Sequence, residues 1–354
     1  MTMMAPLSIT IRAADLHDAG ERARVDAFVR ASPGATPFHL TAWTCAVERG
    51  TGQRAHFLLA ERGGALVGVL PLTAVRSRLF GRALVSSGFG VGGGILAESG
   101  AATNLLADAA WALAAKLGCA SVELRGGSLP EGWGTDNSTY LGFARPLATS
   151  DDAELLAIPR KQRAEVRKAL AADLQVTTGA SPAMLAEHHA VYAESVRNLG
   201  TPVFPARLFR EVAAAFGGDA DVLTVRHDGA PVASVLSLYF DNTVYPYWGG
   251  GTAAARALRA NDRMYFALMA HARSKGCERF DFGRSKAGTG AATFKKNWGF
   301  DAVPLAYAKR TADGAGAREV NPLNPKYAAM VAAWKRLPLP VANLLGPMIS
   351  RGLG

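Results

Sequence analysis

The chain has 354 residues, of which 49% are apolar and 19% charged, so a disordered protein is excluded and a large core is expected. Lysine and arginine number 39 and aspartate and glutamate 29, which gives a formal net charge of +10. This surplus favours anionic partners, such as phosphates, nucleic acid, anionic lipid or acidic glycans, without selecting among them.

The cysteines and the first residues indicate the compartment. Cys45, Cys119 and Cys277 are far apart in the sequence, which argues against a disulfide scaffold or a structural zinc site. The first twenty residues contain no basic segment followed by an apolar one, so no secretory signal is predicted. The sequence contains no run of 18 apolar residues, so no membrane span is predicted. We therefore expect a cytoplasmic protein.

The end of the chain is unusually apolar. Three prolines interrupt the apolar segment Leu337–Leu353. We expect it to form packed terminal helices. The alternative is contact with the inner face of the cytoplasmic membrane, which the nearby cations Lys335, Arg336 and Arg351 would support.

Strands and helices alternate in the first half. The predicted elements are a strand at Ser8–Arg12, helices at Asp15–Arg30 and Thr41–Arg49, strands at His56–Glu61 and Ala65–Val75, a glycine loop at Gly88–Gly94, a helix at Ala101–Leu117 and a strand at Ser121–Arg125. Gly63-Gly64 between two strands predicts a hairpin turn.

The second half repeats this order. The predicted elements are helices at 182–198 and Pro205–Phe216, strands at Asp221–His227, Val232–Phe240 and Val244–Trp248, a helix at Asn261–Lys275 and a strand at Arg279–Gly283. Ser181 followed by Pro182 is typical of a helix N-terminus, and Asp228-Gly229 predicts a type I′ hairpin turn.

Four short matches between the halves suggest a duplication. The matched positions are Leu117-Gly118-Cys119 with Lys275-Gly276-Cys277, Gly92-Gly93 with Gly250-Gly251, Gly142-Phe143 with Gly299-Phe300, and Gly64 with Gly229. Their common order, at separations of about 160 residues, predicts a duplicated domain. The predicted parts are an N-terminal domain over 1–148, a second domain over 149–312 and a helical tail over 313–354. The alternative is that generic helix–glycine–strand joints look alike.

Two stretches of the second half resemble a known family. A strand, an open loop, a helix and a strand before a Gly-Phe segment resemble the GNAT acyltransferase unit, and two such units in tandem resemble the FemAB aminoacyltransferases. The stretch Phe280–Phe300, with its DFG, glycine-bearing loop and FK before an aromatic-Gly pair, looks like the FemAB pattern. Ile158–Leu170 resembles the basic helix that opens that family's second unit. The nearest resemblance is to FemAB-like proteins associated with exopolysaccharide and PEP-CTERM/exosortase systems.

The resemblance implies a fold and a division of labour. The expected fold class is α/β (α+β), with two tandem GNAT-like domains, each a mixed, mostly antiparallel central sheet flanked by helices. The first domain would shape the substrate cleft and the second would carry the chemistry.

The motifs of covalent and metal catalysis are absent from the sequence. There is no GxSxG elbow, no GxxxxGK[ST] loop and no HExxH, and the adjacent His188 and His189 make a poor metal pair. GNAT-type transfer needs none of these, because an amine attacks an activated carbonyl directly and the protein stabilises the oxyanion. We expect no metal and no bound cofactor.

Lys295 is the foremost catalytic candidate. In simple GNAT enzymes a tyrosine that acts as leaving-group acid often stands four residues before the glycine of the Gly-Phe pair, and here that position is Lys295. The FemAB resemblance also implies a catalytic Phe294-Lys295 pair. An ammonium can stabilise an oxyanion. The alternative is a surface lysine like its neighbour Lys296. The first-half counterpart is Ser138, so chemistry is expected in the second half only.

Asp281 and Arg284 flank Gly283 at the end of a predicted strand. Ligand sites in open α/β sheets favour the carboxyl ends of strands. These two residues could orient the reactants, with the carboxylate accepting a proton from the amine. The alternative is a structural ion pair that holds the turn.

The segment Gly249–Asp262 occupies the place of the CoA pyrophosphate loop of GNAT enzymes, whose pattern is [Q/R]xxGx[G/A]. Arg256 fits its first position, but Arg259 and Asn261 stand where small residues belong. This departure argues against CoA and is consistent with an aminoacyl-tRNA donor. Arg256, Arg259 and Asn261 could still bind phosphates, or form an ordinary cationic loop.

A basic helix and an aromatic strand complete the candidate site. Arg163 and Arg167 share a helix face with Arg160, which could bind a diphosphate-linked sugar or a tRNA backbone, or could simply be solvated. Tyr247 is a candidate cleft residue. The GxGxxG match at Gly88–Gly93 is followed by extended chain, so we expect a cleft wall rather than a dinucleotide site.

These expectations converge on an N-acyltransferase. It would transfer an aminoacyl or acyl group, from aminoacyl-tRNA or acyl-CoA, to an amine of a cell-envelope or exopolysaccharide precursor. The expected partners are a phosphate-bearing small molecule or lipid-linked sugar, and tRNA. The alternatives are an acetyl-CoA-dependent N-acetyltransferase acting on an amino sugar, and a non-catalytic module that binds tRNA or an anionic glycan.

Overall fold

The computed structural model describes residues 8–78, 80–313 and 325–354, and these form two compact units. The first unit contains the chain up to Asn137, the strand that begins just after Ala306, and Arg351–Gly354. The second contains Ser138–Leu305 and the helices between residues 325 and 350.

The elements follow the predicted order closely. The strands are β1 (Ile9–Ala13), β2 (Arg54–Arg62), β3 (Ala65–Ser77), β4 (Gly81–Ser86), β5 (Leu96–Ala97), β6 (Ser121–Arg125), β7 (Gly134–Asp136), β8 (Tyr140–Pro146), β9 (Gln175–Gly179), β10 (Ala220–His227), β11 (Ala230–Phe240), β12 (Thr243–Gly251), β13 (Arg279–Lys286), β14 (Val303–Pro304) and β15 (Tyr307–Thr311). The helices are α1 (Ala19–Ala31), α2 (Thr41–Thr51), α3 (Gly100–Lys116), α4 (Asp151–Ala157), α5 (Arg160–Ala171), α6 (Pro182–Leu199), α7 (Ala206–Phe216), α8 (Ala255–Leu258), α9 (Ala260–Ser274), α10 (Gly290–Asn297), α11 (Pro325–Arg336) and α12 (Leu339–Ser350).

Each unit is built on a mixed sheet with the same strand arrangement. The first sheet has the order β1-β2-β3-β4-β6-β15-β7, with β5 beside β3, and the second has the order β9-β10-β11-β12-β13-β8-β14. Neighbours are antiparallel except β4 with β6 and β12 with β13. The predicted class of two mostly antiparallel sheets flanked by helices is confirmed.

The parallel pair of each sheet is short. In the second unit β12 and β13 pair only at Thr243 with Arg279 and at Val244 with Phe280, although both strands continue well beyond these positions. In the first unit β4 and β6 likewise pair at two positions. The centre of the second sheet is therefore open at the carboxyl ends of β12 and β13.

Local turn chemistry accounts for the recurring motifs. Gly118 (φ +64°) ends α3, and the Cys119 N–H donates to Ala114 O at 2.9 Å. After α9, Gly276 has φ +82° and the Cys277 N–H donates to the carbonyl of the matching alanine, also at 2.9 Å. Both helix C-termini end at a residue in the left-handed backbone conformation, which glycine adopts without strain. This match is a true structural repeat.

Both predicted hairpin turns are present. Gly63-Gly64 joins β2 to β3 and Asp228-Gly229 joins β10 to β11, with positive φ at both central residues of each turn. Type I′ turns require this conformation.

One of the four repeat matches is wrong. Gly142-Phe143 lies within β8, whereas Gly299-Phe300 follows α10, where Gly299 has φ +80°. β8 pairs with β13 in the second sheet, and Phe143 is buried in the second core. Conversely, β15 pairs with β6 in the first sheet. Each half of the chain thus contributes a late strand to the other half's sheet.

This exchange of strands explains why the boundaries of the two compact units differ from those of the predicted domains. The compact units separate after Asn137 rather than after residue 148, and β15 belongs to the first unit although it lies in the predicted second domain. The predicted tail contributes α11 and α12, which pack on α6 in the second unit. Residues 1–7 of the predicted first domain and 314–324 of the tail lie outside the described residues.

Within the described residues, no helix is long and apolar enough to cross a membrane.

Candidate active site

The site begins with a bulge in β13 beside the open end of the parallel pair. Asp281 pairs with Ala144 of β8 and Arg284 pairs with Gly142, so two residues of β13 oppose one of β8. Gly283 has φ +66°, and its N–H donates to the Asp281 Oδ1 at 2.7 Å. Glycine at this position lets the strand turn its carbonyls toward one side.

Lys295 binds this bulge. Its Nζ donates to the carbonyl oxygens of Phe282 at 2.7 Å, Arg284 at 2.9 Å and Gly283 at 3.3 Å. An ammonium has three N–H groups, and here each faces a carbonyl. Nζ also lies 5.3 Å from the centroid of the Phe143 ring. Burial lowers the pKa of Lys295 to about 8, with Asp281 opposing the shift.

The surroundings of Lys295 exclude the simple surface alternative. Lys296, the next residue, is exposed, whereas Lys295 is turned inward onto β13. The expected oxyanion role of Lys295 stays a prediction. The ammonium is positioned by backbone at the open sheet, but a substrate oxygen would have to replace one of its carbonyl partners. The contact with Gly283 O is the longest and the most readily replaced.

Phe294 belongs to the core of the second unit. Its ring centroid lies 5.7 Å from that of Tyr265, 6.2 Å from Trp298 and 6.3 Å from Phe282. These contacts seat α10 against β13 and α9. Phe294, which is partly buried, thus holds the helix that carries Lys295, and its predicted catalytic role stays a prediction.

Asp281 and Arg284 have separate partners. The Asp281 carboxylate accepts the Gly283 N–H, and burial raises its pKa despite the nearby Arg279 and Lys295. The Arg284 guanidinium lies 4.5 Å from the Tyr140 ring centroid. Asp281 therefore stabilises the bulge directly, and Arg284 stacks over β8.

The opposite arm of the opening is β12, which also bulges. Leu236 of β11 pairs with Trp248 and Ser237 with Pro246, which leaves Tyr247 as the extra residue. Tyr247 is partly buried, and its ring centroid lies 4.9 Å from that of Trp248. The predicted cleft residue thus lies on the arm facing β13.

The glycine run after Tyr247 has a packing reason. Gly249–Gly251 is the end of β12 rather than a loop. A Cβ at Gly250 would lie 2.3 Å from the Ser195 Oγ of α6, and one at Gly251 would lie 2.5 Å from the Ala255 Cβ of α8. Glycine at these two positions therefore lets α6 and α8 pack closely against β12.

The predicted phosphate-binding residues occupy different environments. Arg256 is exposed on α8. Arg259 has φ +55°, and its Nε donates to the Glu165 Oε2 at 2.5 Å. Asn261 is partly buried at the start of α9, and its Oδ1 has no hydrogen-bond partner among the described residues.

Three carboxylates surround the same segment. The Ala253 N–H donates to the Glu194 Oε1 at 2.7 Å, and the Glu165 carboxylate binds Arg259. Asp262, in the first turn of α9, accepts from the Gln162 Nε2 at 2.7 Å, and burial raises its pKa to about 6. The Ala253 N–H, just before α8, is thus already engaged, and the Asp262 carboxylate in the first turn of α9 opposes diphosphate binding there.

The basic helix α5 does not present a uniform cationic face. Arg163 donates to Leu156 O at 2.7 Å and to Ile158 O at 3.0 Å, which closes the end of α4. Arg160 and Arg167 are exposed. Two of the three aligned arginines are therefore available to an anionic ligand.

The first unit has a cleft of about 490 Å³. Its lining includes Phe28, Pro33, Leu96, Glu98 and Ser128, while the loop Gly88–Gly93 is not part of it.

The sequence analysis missed two of these carboxylates, Asp262 and Glu194. Asp262 follows Asn261 directly, and an acidic residue in the first turn of a helix is the signal that would have identified it. Glu194 lies on α6, remote in sequence from Ala253, so nothing local could have linked them. In the described part of the chain, no group of three or more His, Cys, Asp or Glu side chains could hold a metal ion.

Comparisons with known proteins agree with this fold. Residues 160–296 match the acetyltransferase (GNAT) domain family. The chain is similar to FemX, with 16% identity over 84% of this chain and 96% of the other, and a TM-score of 0.64. It is also similar to a tandem GNAT protein from the clavulanic acid biosynthesis pathway, with 15% identity over 87% and 100% of the two chains and a TM-score of 0.54.

A third similar structure is L-PGS from Bacillus licheniformis, with 14% identity over 92% of this chain and 99% of the other, and a TM-score of 0.51. No curated protein sequence matches the chain. At these identities the structural likeness concerns the fold.

The fold and the family match agree with each other. The second unit contains the matched GNAT domain, the first unit repeats its sheet, and the two make a tandem GNAT architecture. The protein therefore has a tandem GNAT fold, and its second unit contains the segment that matches the acetyltransferase (GNAT) domain family. Its likeness to FemX and to a tandem GNAT protein agrees with the expectation from its sequence.

Proposed function

We propose that this protein transfers an aminoacyl or acyl group to an amine of a cell-envelope or exopolysaccharide precursor, and that its second unit carries out the reaction. The observation that carries the proposal is the inward-facing ammonium of Lys295. It is held by three strand carbonyls beside the opening between β12 and β13.

The reaction joins an amine to a carbonyl carbon. The amine nitrogen attacks, a tetrahedral oxyanion forms, and the leaving oxygen or sulfur departs with a proton. In our proposal the Lys295 ammonium exchanges its long contact with Gly283 O for the oxyanion. A pKa of about 8 leaves the ammonium protonated at neutral pH and able to give a proton to the leaving group.

Asp281 and Arg284 serve this reaction by orienting the reactants. Asp281 keeps the bulge in shape through the Gly283 N–H, and its raised pKa suits a carboxylate that accepts a proton from the attacking amine. Arg284, stacked on Tyr140, adds positive charge beside the bulge. Phe294 contributes by fixing α10.

We propose aminoacyl-tRNA as the donor, in keeping with the FemAB resemblance. Glu194, Glu165 and Asp262 surround the segment that would otherwise cradle a CoA diphosphate. An ester at the acceptor end of tRNA needs no such cradle. Acyl-CoA is the second candidate, because the matched family is one of acetyltransferases.

The acceptor we propose bears phosphate, as a nucleotide sugar or lipid-linked sugar does. The exposed guanidinium groups of Arg160, Arg167 and Arg256 are the surfaces that would bind it or the tRNA backbone. We propose that the reaction takes place in the cytoplasm, at the inner face of the membrane.

A transfer assay tests the proposal. Bulk tRNA charged with radiolabelled amino acids, or labelled acetyl-CoA, is incubated with the protein and a cell-envelope extract, and label in alkali-stable amide products is counted. The wild type and Lys296→Met should form product, and Lys295→Met should lose at least about a hundredfold in rate. Absence of wild-type transfer from both donors would refute acyl transfer, and transfer from acetyl-CoA alone would refute the tRNA donor.

A further inference from the structure

The two C-terminal helices of the second unit have an exposed apolar face. On α12 the exposed apolar side chains are Val341 (39%), Leu344 (73%), Leu345 (39%) and Met348 (66%). Their spacing of three, four and seven residues places them on one side of the helix. Scattered apolar side chains on a surface are ordinary, but a continuous stripe on one helix marks a contact surface.

The opposite side of α12 is fixed to the protein. Ala342, Gly346 and Ser350 are buried, and the Ser350 Oγ donates to Val203 O at 2.8 Å. A Cβ at Gly346 would lie 3.0 Å from the backbone N of Val203. Because this close fit prevents α12 from rotating, the apolar stripe is held facing outward.

The preceding helix is fixed in the same way and adds positive charge. A Cβ at Gly200, which follows α6, would lie 2.5 Å from Val331 of α11. The end of α11 carries the exposed Lys335 and Arg336, and Met330 of the same helix is 56% exposed. Helices α11 and α12 thus combine exposed apolar side chains with cations.

Charge identifies the occupant of this face. From Pro325 to the end of the chain there is no aspartate or glutamate, although the sequence contains 29 of them in total. An apolar stripe on α12, with exposed lysine and arginine at the end of α11 and no acidic residue on either helix, matches an anionic lipid surface, where acyl chains accept the apolar side chains and headgroups accept the cations. We propose that α11 and α12 dock this protein on an anionic membrane surface.

Docking there would place the enzyme beside lipid-linked acceptors, but the surface does not depend on the acyl-transfer chemistry. It lies on helices remote in sequence from Lys295. The Lys295→Met variant should therefore bind membranes as the wild type does, which separates a failure of this inference from a failure of the proposed function.

Vesicle flotation tests the inference. The full chain is mixed with phosphatidylcholine vesicles, with or without phosphatidylglycerol, and the floated fraction is measured. We expect flotation with the anionic vesicles, a loss of at least about tenfold in apparent affinity for Leu344→Glu/Met348→Glu, and a similar loss for Lys335→Gln/Arg336→Gln. The matched control is Leu156→Glu on α4, where the side chain is 62% exposed, and it should float like the wild type.

Several results would overturn it. These are no flotation of the wild type, equal flotation with neutral vesicles, or equal loss in the Leu156→Glu control. Light scattering checks the competing occupant. A dimer that Leu344→Glu/Met348→Glu dissociates, without vesicle binding by the wild type, would assign the face to a second copy of the chain instead. The glutamates replace exposed side chains, and a urea midpoint equal to that of the wild type would verify folding.

Discussion

Replacing Lys295 by methionine tests whether its ammonium holds the β13 bulge. The variant keeps an unbranched side chain but leaves the carbonyls of Phe282, Gly283 and Arg284 without their shared donor. Losing bonds to a charged donor costs about 1.5–3 kcal/mol each, and relief from burying the charge offsets part of this. We expect the free energy of unfolding at pH 7 to fall by about 2 kcal/mol.

The pH dependence of this difference is a sharper test. Burial lowers the pKa of Lys295 from 10.5 to about 8 in the folded state. Between these two pH values the unfolded chain retains a proton that the folded chain has lost, so the stability of the wild type rises with pH over this window. The gap between wild type and Lys295→Met should therefore widen between pH 8 and 10.5, by at most about 3 kcal/mol.

Urea unfolding, followed by tryptophan fluorescence at several pH values, measures both effects. Lys296→Met is the matched control, because Lys296 is exposed and its loss should change stability by less than about 0.5 kcal/mol. Groups that titrate in all three proteins cancel when differences are taken. Equal stability of the two variants would refute the bulge contacts, and a gap that stayed flat or narrowed from pH 8 upward would refute the lowered pKa.

Two further substitutions test the packing and charge of the neighbouring segment by urea unfolding. Burial raises the pKa of the Asp262 carboxyl from 3.8 to about 6, so between pH 4 and 6 the folded state holds a proton that the unfolded chain has lost, and the stability of the wild type falls as the pH rises. Asp262→Asn escapes this loss and should raise stability at pH 7 by about 1 kcal/mol. Below pH 4 the variant should be no more stable than the wild type, or less stable. An unchanged gain at pH 3.5 would contradict this. Gly250→Ala should lower stability by about 2 kcal/mol, because its Cβ would clash with Ser195. Adding Ser195→Gly should restore part of the lost stability. The control Gly218→Ala, whose Cβ would meet open space, should be nearly neutral. A Gly250→Ala variant as stable as Gly218→Ala would contradict the close approach.

The regular elements could be predicted because their signals are local. The hairpin at Asp228-Gly229, the cap at Ser181 and the glycine C-caps at Gly118 and Gly276 each depend on residues a few positions apart. The motif around Lys295 was also local, and it selected the residue that the structure turns inward. These parts of the fold needed no tertiary information.

What could not be predicted depends on contacts between distant segments. The three partners of Lys295 are backbone carbonyls presented by a bulge, and a backbone carbonyl has no sequence signature. The engagement of the Ala253 N–H by Glu194 is of the same kind. Gly142-Phe143 matched Gly299-Phe300 in letters but not in structure, because β8 is defined by its partner β13 rather than by its own residues.

The exchange of late strands also predicts where the chain can be cut. β8 pairs with β13 along its length, Phe143 is 1% exposed in the second core, and the fully buried Glu154 carboxylate is bound by the Arg145 guanidinium and, at 2.8 Å, by the Ala148 N–H. A fragment over 149–354 would lose these groups, leaving the buried Glu154 with only the Arg273 guanidinium at 3.6 Å and a cavity in the core, whereas a fragment over 138–354 keeps them.

We therefore expect 138–354 to unfold cooperatively in urea, with 149–354 aggregating or unfolding without a transition. Both fragments lack the first unit equally, so that loss cancels in the comparison. Cooperative unfolding of both fragments would mean that β8 is dispensable to the second sheet. The Phe143 ring beside Lys295 would then not be required, and the proposed catalytic unit would be complete within 149–312.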